Sequence, residues 1–70
     1  MRNWIKVERA KRNMTQEDLG KALGVSRHSI VAIETERYEA NVGFAIQIAR
    51  FFNKRVKDIF FLTEEDVPKL

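Results

Sequence analysis

Thr15-Gln16-Glu17-Asp18-Leu19-Gly20-Lys21-Ala22-Leu23-Gly24-Val25-Ser26-Arg27-His28-Ser29-Ile30-Val31-Ala32-Ile33 reads as two helix starts separated by one helix stop. Thr15 has the oxygen of an N-cap, and Asp18, three residues on, can return a bond to it as in a capping box. Glu17 and Asp18 lie in the first turn, where the helix dipole favours negative charge. Leu19, Ala22 and Leu23 then share one apolar face. Gly24 suits the left-handed residue that closes a helix. Ser26 can cap the next helix almost at once, and Ile30 and Ile33 form its buried side. Two short amphipathic helices joined by a glycine-containing turn of about three residues form a helix-turn-helix. Gly20 falls where the two helices would cross, and its missing side chain permits close approach.

Outward from this core the same pattern continues. Residues 3–13 carry Trp4, Ile5, Val7 and Ala10 among charged residues without a breaker, which predicts a first helix. Residues 35–41 read as a loop. Asn41 can cap a fourth helix over about 42–53, with Ala45, Ile48, Ala49 and Phe52 on one stripe. Residues 56–62 predict a short fifth helix with Val56, Ile59 and Phe60 facing inward, and residues 63–70 a polar, frayed tail. No segment shows the period of a strand. The expected fold class is all-α: a compact bundle of five short helices.

The outer face of the third helix is polar where the inner face is not. Ser26, Arg27, His28 and Ser29 project from its first turn, the end that enters a major groove in helix-turn-helix proteins. Arginine can bond bidentately to guanine, serine and histidine can bond to base edges or phosphates, and free helix N–H groups favour phosphate.

Residues 5–62 resemble the lambda-repressor/Cro-like, or XRE, family of helix-turn-helix proteins. The resemblance runs through Met14-Thr15-Gln16-Glu17-Asp18-Leu19, Leu23-Gly24-Val25-Ser26-Arg27, Ile30, Ala32-Ile33-Glu34, Arg37-Tyr38, Ala45, Ile48-Ala49 and Asp58-Ile59-Phe60. It implies a five-helix lambda-repressor-like domain over 1–62 and a short acidic tail over 63–70. It also implies a sequence-specific regulator of transcription, more often a repressor, that binds a palindromic operator in double-stranded DNA as a homodimer. By position, Gln16 would touch phosphate and a base, and Ser26, Arg27 and His28 would open the recognition helix. Ser29 would touch the backbone, and Ala32 would offer a methyl contact. Arg37, Tyr38 and Asn41 would follow the phosphates, and Arg9 and Glu34 match a structural ion pair of the family. Three positions depart from the pattern. Glu36 stands where glycine is usual, Ala40 where proline is usual, and Glu8 where an apolar residue is usual.

Composition narrows the alternatives. The 70 residues are 44% apolar and 33% charged, a globular composition for one small domain. No cysteine is present, so disulfides and thiolate metal clusters are excluded, and His28 is the one histidine. With no carboxylate cluster beside it, no metal or other cofactor is expected, and an enzyme lacks its equipment. No apolar run reaches the roughly 18 residues that a membrane span needs, and no signal-peptide core is present. A cytoplasmic protein is expected. Net charge is +3, but residues 1–62 carry 12 basic and 7 acidic residues, which favours a polyanionic partner. Phe51, Phe60, Phe61 and Leu62 exceed what so small a body should bury, so a homodimer interface is expected around the fifth helix. The same aromatic surplus keeps open an antitoxin- or adaptor-like interaction module on this fold.

Overall fold

A computed structural model describes residues 2–63. Its elements in chain order are β1 (Arg2–Asn3), α1 (Ile5–Lys11), α2 (Gln16–Leu23), α3 (Arg27–Glu34), α4 (Val42–Phe51), α5 (Val56–Ile59) and β2 (Phe60–Phe61). The five helices share one core built from Ile5, Leu19, Ile30, Ile33, Ala45, Ile48, Ala49, Phe52, Ile59 and Phe60. Apart from Thr63, the tail expected over 63–70 lies outside the described residues.

The helix starts follow the caps. The Thr15 hydroxyl accepts from the Asp18 N–H at 3.0 Å, and the Asp18 carboxylate accepts from the Thr15 N–H at 2.9 Å. The Ser26 hydroxyl accepts from the Ser29 N–H at 3.2 Å, and Asn41 Oδ1 accepts from the Phe44 N–H at 2.8 Å. Each bond satisfies an N–H that the helix itself leaves unpaired.

The helix stops share one device. α1, α2, α3 and α4 are each followed by a left-handed residue: Asn13, Gly24, Glu36 and Asn53. The next N–H turns back to a carbonyl of the last helical turn: Met14 to Arg9, Val25 to Gly20, Arg37 to Ala32 and Lys54 to Ala49, at 2.9–3.0 Å. These are Schellman closures, in which orphan carbonyls at the helix end find donors. Glycine or asparagine fills three of the four sites at little cost. Glu36, at φ 63°, has a Cβ that this conformation crowds.

Three expectations need correction. The first helix starts at Ile5, not residue 3, and the fifth ends at Ile59, not residue 62. The residues left over pair as an antiparallel ribbon, with Arg2 opposite Phe61 and Asn3 opposite Phe60. The Trp4 N–H extends the pairing to the Ile59 carbonyl at 2.8 Å. A two-residue strand is too short to show a period of two, and its partner lies at the far end of the chain. The Phe60-Phe61 pair favours extended backbone once that partner is present. The third correction concerns Phe60. It is only 5% exposed and belongs to the core of its own chain, so its ring is not available as a dimer contact.

Glu8 occupies an inward position of α1 and is buried. Its carboxylate accepts from Arg12 at 2.9 Å and from Lys11 at 3.3 Å. Arg12 also donates to the Phe52 carbonyl at 2.8 Å and stacks over the Phe52 ring. The charge of Glu8 is thus paired where it is buried, the condition for tolerating it there.

Candidate nucleic-acid interface

The angle between α2 and α3 is set by main-chain contact. A Cβ on residue 20 would lie 2.8 Å from the Val25 carbonyl oxygen, closer than real Cβ atoms come. Glycine at 20 lets α2 rest directly on the turn, and Gly24, at φ 74°, supplies the reversal without strain. Leu19, Ile30 and Ile33 then lock the two helices from beneath.

α3 is eight residues long, about 12 Å, similar to the width of a major groove of about 12 Å. Ser26, Arg27 and His28 are exposed at its first turn, and Ser29 is half-buried. The two serines contact each other at 3.1 Å, and Ser26 is also the helix cap. Part of its bonding capacity therefore serves the fold. The side chains of Arg27 and His28 make no hydrogen bond or ion pair with the described residues and remain available to a ligand.

An open cleft of about 440 Å³ runs along this face. His28, Ser29, Ala32 and Tyr38 meet in it, over a floor that includes Val25, Ile33 and Phe44. Ala32 is half-buried there. Tyr38 is 56% exposed. Arg37 and Asn41 are exposed on the loop between α3 and α4, and the Asn41 amide oxygen is committed to capping α4.

Gln16 lies apart from that cleft. It is half-buried, and its amide nitrogen donates to Glu34 Oε1 at 3.5 Å. Glu34 in turn holds Arg9 through two bonds, at 2.6 Å to Nε and 2.9 Å to Nη2. The third arm of Arg9 donates to the Met14 carbonyl at 2.9 Å. The pairing raises the Arg9 pKa against the opposing pull of burial. One carboxylate therefore ties α1, the start of α2 and the end of α3 together.

Asn3 escaped the sequence reading. Its side-chain amide donates to the Ile33 carbonyl at 2.9 Å and so joins the β-ribbon to the last turn of α3. No local signal marks such a role, because the partner lies thirty positions along the chain. Among the described residues there is no group of histidine, cysteine or carboxylate side chains that could hold a metal. Nor is any helix among them long and apolar enough to cross a membrane.

A helix-turn-helix family model matches residues 5–59, from the first turn of α1 to the last of α5. The chain belongs to the helix-turn-helix family. It is similar, at 46% identity, to an uncharacterised HTH-type transcriptional regulator of Methanocaldococcus jannaschii, with 94% of this chain and all of that protein covered. A regulator of the same description from Archaeoglobus fulgidus is 48% identical over 96% of this chain and 94% of its own length. The HTH-type regulator YgzD of Bacillus subtilis is 36% identical over 94% of this chain and its full length. For this helix-turn-helix protein the XRE-like resemblance therefore holds, as does the five-helix fold, and the family is one of DNA-binding transcriptional regulators.

Proposed function

We propose that this protein is a sequence-specific transcriptional regulator, acting in the cytoplasm, that reads the major groove of double-stranded DNA with α3. The observation that carries the reading is the first turn of α3, where Arg27 and His28 stand exposed and unpaired on a helix held by the Gly20 contact. Arg27 and His28 read base edges, and Ser26 and Ser29 position the turn on the backbone. Arg37, Tyr38 and Asn41 follow the phosphates, with Gln16 on the opposite flank. Ala32 offers only its methyl.

The protein acts as a homodimer on a palindromic operator, with half-sites about one helical turn apart, and represses by occluding a promoter. The dimer contact lies at the C-terminal end of the domain. Leu62 is 63% exposed there, and Phe61 stacks on the exposed Trp4 with ring centres 5.5 Å apart. Phe51, at the end of α4, is 40% exposed. Such rings gain by leaving water.

Selection of preferred sites from random duplexes tests this reading. A palindrome with two half-sites should emerge, and Arg27→Ala should weaken binding to it by about 1–3 kcal/mol while relaxing the choice of base at one position. An equal loss on all sequences would remove the base-reading role from Arg27. Sedimentation that finds a monomer, both free at high micromolar concentration and on the selected site, would overturn the dimer.

A further inference from the structure

The positive charge of this chain does not reside on its helix-turn-helix. Residues 13–41, which hold α2, α3 and the following loop, contain three basic and five acidic residues, a net charge of −2. Residues 1–12 and 42–62 contain nine basic and two acidic residues, a net charge of +7. Much of that excess gathers at one place. Arg12 at the end of α1 donates to the Phe52 carbonyl at the end of α4, which brings the two helix ends together. Lys11 and Arg12 bond to Glu8, and the charge of Lys54 also reaches that carboxylate. Arg50 lies in the last turn of α4, and Arg55 and Lys57 flank the start of α5. Six cations thus surround two carboxylates, Glu8 and Asp58, and all six are exposed.

This surface lies at the end of α4 remote from the cleft beside the reading helix. α4 has ten residues and is about 15 Å long. Phe44, near its first turn, lines the cleft beside His28 and Tyr38, whereas Arg50 and Lys54 stand at its other end. Neither described cleft includes Arg50, Lys54, Arg55 or Lys57. Long cations dominate this surface, with Phe51 and Val56 only partly exposed among them. It suits a phosphate backbone, which asks only for mobile positive charge.

We propose that Lys11, Arg50, Lys54, Arg55 and Lys57 form a second DNA-binding surface, one that holds duplex by its phosphates without reading sequence. A protein carrying both surfaces binds one duplex with α3 and a second with the α4–α5 turn, and so bridges DNA segments. The inference rests on the DNA-reading proposal only for the first duplex.

The test uses the intact chain and a variant in which Arg50, Lys54, Arg55 and Lys57 are all replaced by Gln. Duplex captured on beads is incubated with protein and a labelled random duplex, over a series of salt concentrations. The wild type should retain the labelled duplex, and the variant should lose it. For random duplex, the slope of log affinity against log salt should fall by about 3 to 4, since each neutralised phosphate contributes about 0.9. Affinity for a selected operator, which is held by α3, should change less than twofold. Lys57→Gln alone should lower the slope by about 0.9, which guards against a misfolded quadruple variant. An unchanged slope and unchanged bridging would overturn the proposal. So would amide shifts at 50–57 produced by poly-glutamate and not by duplex, which would assign the surface to an acidic protein. Loss of all duplex binding by the wild type would sink the reading by α3 as well. Loss of bridging alone would leave that reading intact.

Discussion

Arg9 and Glu34 form a bidentate pair in which both side chains are nearly buried, 12% and 5% exposed. The carboxylate has no water to fall back on, so its value shows when one partner is missing. Arg9→Ala leaves Glu34 buried and unpaired and should destabilise the fold by about 3 kcal/mol or more. The double change Arg9→Met with Glu34→Leu should cost less than either truncation, because it leaves no charge behind. Denaturant unfolding of Arg9→Ala, Glu34→Ala and the double variant measures this. A smaller loss in Arg9→Ala than in the double variant would show that the pair does not operate as a unit.

Gly20→Ala puts an atom 2.8 Å from the Val25 carbonyl oxygen, and a main-chain oxygen has little room to yield. Alanine improves helix propensity by about 1 kcal/mol, but overpacking costs about 1–3 kcal/mol. The fold should therefore lose stability, and α3 should tilt. The expected readout is a fall in Tm together with amide shifts centred on 25–29. Gain of stability with no shift there would show that the turn accommodates the methyl.

Glu36 is the one charged residue among the four helix closures. Glu36→Gly removes left-handed strain of about 1 kcal/mol, partly offset by the greater freedom of glycine in the unfolded chain. Tm should rise by a few degrees. The same change removes a negative charge beside Arg37, so DNA affinity should rise equally on all sequences. A fall in Tm would mean that the Glu36 side chain contributes something the backbone strain conceals.

Acid should destabilise this domain in part through Glu8. The Arg12 hydrogen bond, aided by Lys11 and Lys54 and opposed by burial, holds its pKa below the ordinary 4.5. Asp18 is likewise lowered from 3.8, chiefly by the Thr15 backbone N–H. A group whose folded pKa is depressed contributes stability that is complete above its unfolded pKa and is lost as pH falls through the folded value. Glu8→Gln should therefore be less stable than the wild type at neutral pH and converge with it in strong acid. Parallel curves across the whole range would remove Glu8 from the acid transition.

The helix-turn-helix was legible because its signals are local: Thr15 with Asp18, Gly24, Ser26 and the apolar spacing of Leu19, Ile30 and Ile33. The β-ribbon was not, because Arg2 and Phe61 meet only after the helices between them have packed. Continuing the fifth helix through Phe60 and Phe61 followed their apolar character and missed the strand partner. Asn13 and Asn53 were open to reading as helix closures, since asparagine tolerates the left-handed region. Of the proposed interface residues, Arg27 and His28 could be placed from their position after the Ser26 cap. That the Gln16 amide is drawn inward to Glu34 could not, because it depends on how three helices meet.

The contact between Gly20 and the Val25 carbonyl has an evolutionary side. It is made with main-chain atoms, so the pose of α3 does not depend on what its outer face displays. Arg27 and His28 support nothing within the fold, and exchanging them draws little from its stability. On the proposed reading of DNA by α3, a lineage built on this frame could move from one target sequence to another by single substitutions, each passing through a folded intermediate.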